Sequence, residues 1–280
     1  MGKTQSLRSL LAQTMLPPNE ARILLAHVLE KHYQLPRSAL LSRDDMQIHS
    51  DAQIQWEDLQ SRRLRGEPIA YLVGKKGFHE IELFVAPGVL IPRPETELLV
   101  EIALKEISQL NQEVRILDLG TGSGAIALAI AHSAPHVKVT ATDQSPDALA
   151  IAKKNAALLK LESRVQFKQG SWYESLSDDA PFDIILSNPP YIAHQDSHLE
   201  RGDLRFETIS ALTDHAGGLS CLEEIIANAP RHLKNDGLIA VEHGFDQSEA
   251  VISLIKTAGF SDIQKHLDLS GHDRVVSARK

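Results

Sequence analysis

Cysteine is almost missing from this chain. Cys221 is the only one in 280 residues, which excludes an intramolecular disulfide and any cysteine-based zinc cluster. It sits in the helical pattern LSCLEEIIANA, where a buried small apolar residue is expected rather than a nucleophile. No apolar run approaches the roughly 18 residues that cross a bilayer. The opening MGKTQSLRSLLAQ lacks the continuous apolar stretch of a secretory signal. Gly2 and Ser6 match only the outline of a myristoylation signal. The 13 histidines form no HExxH or similarly spaced pair on one helical face, so no metal is expected. A positive surplus is missing too. Lys and Arg number 29 against 37 Asp and Glu, and because residues 1–100 carry 12 of each, the remainder holds 17 against 25. That acidic remainder argues against a nucleic-acid groove, whose phosphate affinity comes mostly from Lys and Arg. The expectation is a cytoplasmic monomer that contacts neither membrane nor nucleic acid directly.

What is present is an ordinary globular composition, 42% hydrophobic and 24% charged, in a length that suits one large domain plus a smaller one. Residues 1–65 read as a small helical bundle: SLRSLLAQ, then NEARILLAHVLEKHYQL, then SDAQIQWEDLQSRRLRG opening on Ser50 or Asp51 as its cap. Pro17, Pro18 and Pro36 punctuate these helices, and Arg62, Arg63 and Arg65 form a basic group at the end of the third. Over residues 66–92 the period changes to two, in KGFHEIELFV and GVLIP with Pro87-Gly88 between them, which predicts a β-hairpin linker.

Residues 93–280 alternate helix and strand. After a helix near 95–110 come strands at 114–119, 137–142, 164–168, 182–187, 237–242, 262–268 and 274–278, with helices at 124–132, 146–159, 218–232 and 246–258. This pattern specifies an α/β, Rossmann-like, doubly wound sheet of seven strands. Only LSGHD separates the last two strands, too little for a crossover helix, so they should pair antiparallel.

The first strand runs into ILDLGTGSGAIALA. Gly120, Gly122 and Gly124, with Thr121 and Ser123 between them, let bare backbone approach a ligand at a helix N-terminus. Gly120, Gly122 and Ala125 also fit the dinucleotide fingerprint, with Asp143 at the distance of a ribose-binding carboxylate, so the glycine spacing alone leaves NAD and S-adenosylmethionine both open. Asp118 favours the second. A carboxylate there can accept from a cationic amino group and would repel a pyrophosphate, or it can simply tie down the glycine turn. Asp143 can likewise cap the helix that begins SPDALA. Gly170, Ser171 and Trp172 close the third strand on the same sheet edge, where Trp172 can wall the adenine or fill the core.

The fourth strand ends in SNPPY. Pro189 and Pro190 fix two successive φ angles and remove two donors, which makes a rigid turn holding Asn188 and Tyr191 in fixed relation. In the usual doubly wound order this strand neighbours the first, so Asn188 emerges beside Gly120 to Gly124. If the Asn188 oxygen and the Pro189 carbonyl accept from one NH₂ group, they fix its plane, with Tyr191 packed against it.

GEPIAYLVGKKGF, VLIPRPETELLVE, ILDLGTGSGAIALA, GSWYE, ILSNPPYI, DLRFE and GLIAVEHG together resemble the HemK/PrmC family of peptide chain release factor glutamine methyltransferases. The resemblance implies an S-adenosylmethionine site at Gly120 to Gly124, Asp143, Trp172 and Asn188, to which the chemistry above adds Asp118. It implies a glutamine site at Asn188, Pro189, Pro190 and Tyr191, with Asn188, Pro189 and Tyr191 catalytic and a release factor as protein substrate. Arg93 and Glu95 should brace the site, and the helical domain should recognise the substrate. Thr208 stands where the family often has proline, which bears on the local loop. NPPY is shared with DNA adenine methyltransferases, a competing reading that needs a basic cleft. A nucleotide-binding regulator without catalysis would leave NPPY unexplained.

Overall fold

The structure, a computed structural model, describes residues 5–110, 112–176, 179–196, 199 and 202–280; Gly2 of the myristoylation outline lies outside them. The chain forms two compact units, Met1–Gly74 with Arg201–Phe206, and Lys75–Glu200 with Glu207–Lys280.

The first unit is helical: α1 (Leu7–Gln13), α2 (Pro18–Tyr33), α3 (Ala39–Ser42), α4 (Ser50–Leu64) and α5 (Ile69–Val73). Ser6 caps α1 by accepting from the Ser9 amide, and Pro18 opens α2, where a missing N–H costs nothing. The cap of α4 is one residue earlier than expected: His49 Nδ1 accepts from the Ala52 amide at 3.2 Å. Ser50 and Asp51 therefore lie in the first turn, where the Asp51 charge complements the helix dipole. Leu24, Leu25, Val28 and Trp56 form the centre of this unit's core. The arginines that end α4 are largely neutralised within the unit, Arg62 by Glu67 and Arg63 by Glu20 and Asp203.

The second unit begins with a hairpin of β1 (Lys75–Phe78) and β2 (Ile81–Phe84), antiparallel, turning at His79 with φ 49°. This corrects the sequence reading. Both arms lie within KKGFHEIELF, where two short alternating runs flank the turn, whereas GVLIP joins no strand and residues 69–73 belong to α5.

There follow α6 (Glu97–Ile107), β3 (Arg115–Leu119), α7 (Ala125–Ser133), β4 (Lys138–Asp143), α8 (Pro146–Leu159), β5 (Val165–Gln169), β6 (Phe182–Ser187), α9 (Ser220–His232), β7 (Leu233–Glu242), α10 (Ser248–Thr257), β8 (Ser261–Leu267) and β9 (Asp273–Arg279). They build a seven-stranded sheet in the order β5-β4-β3-β6-β7-β9-β8. The first five strands of that order are parallel, and β9 pairs antiparallel with both β7 and β8, as the short LSGHD connection requires. β7 starts four residues before the expected strand because Leu233 pairs with Phe182 across a register shift. Helices cover both faces, which is why every residue of β6, FDIILS, is buried. The strand order reverses between β3 and β6, and in an open α/β sheet ligands bind at such a point, outside the carboxyl ends of the strands.

One buried side chain ties the hairpin to that edge. Asn155 on α8 accepts from the Phe84 amide at 2.7 Å and donates to the Phe84 and Ser123 carbonyls at 3.0 and 2.9 Å. Asn155→Leu keeps the branched shape and strands all three groups, so a loss of about 2–4 kcal/mol is expected, as for buried polar groups left without partners. Urea unfolding should show a lower midpoint at unchanged slope; an unshifted midpoint would contradict the linking role.

Candidate active site

β3 ends at Leu119, and the chain then turns through Gly120, Gly122 and Gly124, at φ 70°, 55° and 84°. These left-handed angles are the reason for glycine. The Gly120 and Thr121 amides both donate to the Thr142 carbonyl, which pins the turn to β4. Beneath it Asp118 is fully buried. One of its oxygens accepts from the Thr121 hydroxyl at 2.6 Å and the Ala127 amide at 3.3 Å. Its Oδ1 has no hydrogen-bond partner among the described residues. Burial lifts its pKa from 3.8 to about 7, against the pull of those two donors. Asp118 thus braces the turn through Oδ2 in this structure, and its Oδ1 keeps its accepting capacity.

Over the turn opens a cavity of about 420 Å³ whose floor includes Gly120 to Ser123. A Cβ on Gly122 would meet nothing within 4 Å, so this glycine faces open space. Asp143, at the end of β4, accepts from the Gly122 amide at 2.8 Å and the Ser145 amide at 2.9 Å, and each oxygen keeps a further lone pair for the cavity. Burial raises its pKa, opposed by the same two amides. Trp172 lines the cavity and also packs on the core between the sheet and α9. Its ring stands 3.1 Å from where a Gly120 Cβ would lie, so Gly120 is also a close-approach glycine.

The NPPY turn lies alongside. Ser187 donates its hydroxyl to the Leu119 carbonyl at 2.9 Å, which ties the end of β6 to the start of the glycine turn. Asn188 Nδ2 donates to the Thr96 hydroxyl oxygen at 2.9 Å, which fixes the amide and leaves Oδ1 as its accepting end. Asn188 and Pro190 line the cavity. Pro189 is buried, and the Tyr191 hydroxyl donates to Glu242 Oε1 at 3.0 Å.

Several contributors escaped the sequence reading. Gly88 to Pro92 form a wall in place of the expected strand. Glu207, buried, accepts from the Ile91 amide and pairs with Arg93, so Arg93 does brace this wall. Glu95 is half-buried, and its charge acts on Glu242. Thr208 lines the cavity at φ −68°, an angle proline would also adopt, so its presence does not redirect the loop. Cys221 is half-buried and lines the cavity rather than the core. The quoted stretches IPRPETE and RFE contain Thr96, Arg93 and Glu207, but nothing in their spacing says which polar groups meet.

Residues 4–74 match the PrmC N-terminal domain, and residues 94–207 match the methyltransferase small domain. A release factor glutamine methyltransferase of Bordetella pertussis is 46% identical, with 96% of this chain and 97% of that protein aligned. This chain belongs to the release factor glutamine methyltransferase family. The Vibrio cholerae member is 44% identical over 93% of this chain and 88% of its own length. Among solved structures, a methyltransferase from Pyrococcus furiosus superposes with TM-score 0.54 at 18% identity, covering 80% of this chain and 98% of that one. The Thermus thermophilus 16S rRNA N2 G1207 methyltransferase, solved with AdoMet and guanosine, gives 0.53 at 20% identity, covering 74% and 49%. At such identity these two show the shared fold.

The buried Asp118 of this family member makes a testable pH signature. Between pH 3.8 and about 7 the unfolded chain has released the Asp118 proton while the folded protein retains it. Unfolding then releases a proton, so this residue's contribution to stability falls as pH rises through that window and is flat above it. Asp118→Asn removes the slope. Relative to its own value at pH 4, the variant should gain about 2–4 kcal/mol on the wild type by pH 7.5, by urea unfolding across that range. A difference between the two proteins that does not change with pH would refute the assignment.

Proposed function

We propose that this protein transfers a methyl group from S-adenosylmethionine to the side-chain amide nitrogen of the glutamine in the Gly-Gly-Gln loop of peptide chain release factors. The observation that carries this is the Asn188 amide, its NH₂ end held by Thr96 so that the oxygen is the accepting end, at the edge of a cavity floored by the glycine turn. The charges of the cavity wall suit a cationic cofactor rather than a pyrophosphate. Among the described lining residues Asp143, Asp214 and Glu224 are acidic, and the cation Arg93 is already paired with Glu207.

When bound, S-adenosylmethionine supplies a methyl group on positively charged sulfur. Gly120 to Gly124 and Asp143 would hold it, Asp143 through the ribose hydroxyls, with Trp172 beside the adenine and the Asp118 carboxylate as an acceptor for the amino group. An amide nitrogen is a poor nucleophile because its lone pair is delocalised. Asn188 Oδ1 and the Pro189 carbonyl would accept from the two N–H groups of the substrate amide, fixing its plane and concentrating density on nitrogen. Pro190 and Tyr191 complete the substrate turn. Positioning and preorganised acceptors are then the source of rate. A DNA adenine methyltransferase would share this grip, but an acid-lined cavity in the acidic part of the chain does not suit a phosphate backbone. The protein is proposed to act as a cytoplasmic monomer, with its helical unit recognising the release factor and making no direct nucleic-acid contact.

Asn188→Ala should lower turnover by roughly two orders of magnitude, as for loss of one preorganised contact, while S-adenosylmethionine affinity by calorimetry falls far less. Radiolabelled methyl donor offered with purified release factor or with adenine-containing duplex DNA identifies the acceptor by mass spectrometry. Label on a release-factor glutamine that vanishes in Asn188→Ala supports the proposal; label on adenine alone overturns it.

A chain lacking residues 1–74 tests the role of the helical unit. It should still bind S-adenosylmethionine and lose most methylation of intact release factor; undiminished methylation would remove the recognition role.

A further inference from the structure

Behind the NPPY turn lies a buried carboxylate that the proposed chemistry leaves unused. Glu242, the last residue of β7, is 1% exposed. Its Oε1 accepts from the Tyr191 hydroxyl at 3.0 Å, and its Oε2 has no hydrogen-bond partner among the described residues. Thr96 is also buried, and its hydroxyl oxygen accepts from Asn188 Nδ2. The Thr96 proton is then free to turn toward an acceptor. The Glu242 carboxyl lies close enough to feel that hydroxyl, though short of good hydrogen-bond geometry. One carboxylate thus stands at the meeting point of two arms, one ending at Tyr191 and the other at Asn188, the first and last residues of the turn.

We infer that Glu242 is a positioning residue for this reaction, holding Tyr191 directly and Asn188 through Thr96, so that the turn presents the Asn188 oxygen in a single orientation. The inference rests on the glutamine methylation proposed above. An ionised carboxylate has acceptor capacity for both hydroxyls at once, whereas a protonated one must place its own proton among the same groups. The ionised form is therefore the competent one. Burial pushes Glu242 from 4.5 up to about 7, eased by the Thr96 and Tyr191 hydroxyls and by Arg274 and raised further by Glu95. Arg274, whose guanidinium is bonded to Asp268 and to the His243 carbonyl, is the cation that acts on both Tyr191 and Glu242. Burial lowers the pKa of neighbouring His243.

The test pairs turnover with a spectrum of the full-length protein. Glu242→Gln keeps size and one acceptor but cannot take both hydroxyls. Its kcat should fall roughly tenfold, about the effect of one hydrogen bond, with KM for S-adenosylmethionine unchanged and without the rise in kcat expected of the wild type across about pH 7. In the ¹⁵N-labelled protein, the Asn188 side-chain amide signals, assigned by their loss in Asn188→Asp, should move with pH around 7 in the wild type. They should stay fixed in Glu242→Gln. Thr96→Val should uncouple Asn188 in the same way while leaving the Tyr191 ring signals responsive to pH. Asn188 signals that titrate identically in wild type and Glu242→Gln would overturn the inference. So would wild-type kcat and pH profile in that variant. If the wild type methylates no glutamine at all, the function proposed above fails, and the Asn188 titration still decides this inference.

Discussion

Leu119 and Ser187 stand opposite each other at the ends of two adjacent parallel strands, and the Ser187 hydroxyl closes the pair on the Leu119 carbonyl. Everything the site contains follows from that register. The residue after Leu119 starts the glycine turn, and the residue after Ser187 is Asn188. A slip of one residue along β6 would turn its side chains to the opposite face and move Asn188 out of place. The register is held because β6 is buried on both faces, with a separate core on each side of the sheet.

Around this junction the protein accepts buried polar groups that an apolar core would avoid. Asp118 and Glu242 are carboxyls shut away from water, each with one oxygen lacking a partner among the described residues. Each sits directly behind a turn that lines the cavity. Burial makes charge expensive, which raises both pKa values and strengthens every hydrogen bond these groups do make. Local stability is spent on turns that keep one conformation. Glu207 does similar work from the opposite side, where its pairing with Arg93 and the Ile91 amide holds a wall that no strand supports.

Much was legible in the chain itself. Strand and helix alternation is written in local periodicity, so the sheet, its order at the switch point and its antiparallel end follow from patterns a few residues long. The glycine turn and the NPPY turn were legible because unusual backbone angles demand unusual residues. The hairpin was misread because two alternating runs with a Pro-Gly between them look like two arms, and periodicity cannot say that the pairing happened earlier, around His79. The cap of α4 was missed because histidine is an uncommon capping residue, yet its ring nitrogen met the amide all the same.

The sequence by itself determined the doubly wound sheet and the family, because each depends on local backbone preference or on contiguous motifs, whereas the joining of Arg201–Phe206 to the helical unit Met1–Gly74 did not show in it. Tertiary structure alone decided which side chain each polar group meets: Asn188 with Thr96 across 92 residues, Tyr191 with Glu242 across 51, Arg93 with Glu207 across 114. It also decided that Asp118 bonds Thr121 beneath the turn, and that Cys221 faces the cavity rather than the core. The reason is that hydrogen bonds and burial are set by distances after the sheet has formed, and residues far apart in the chain carry no sign of their eventual partner.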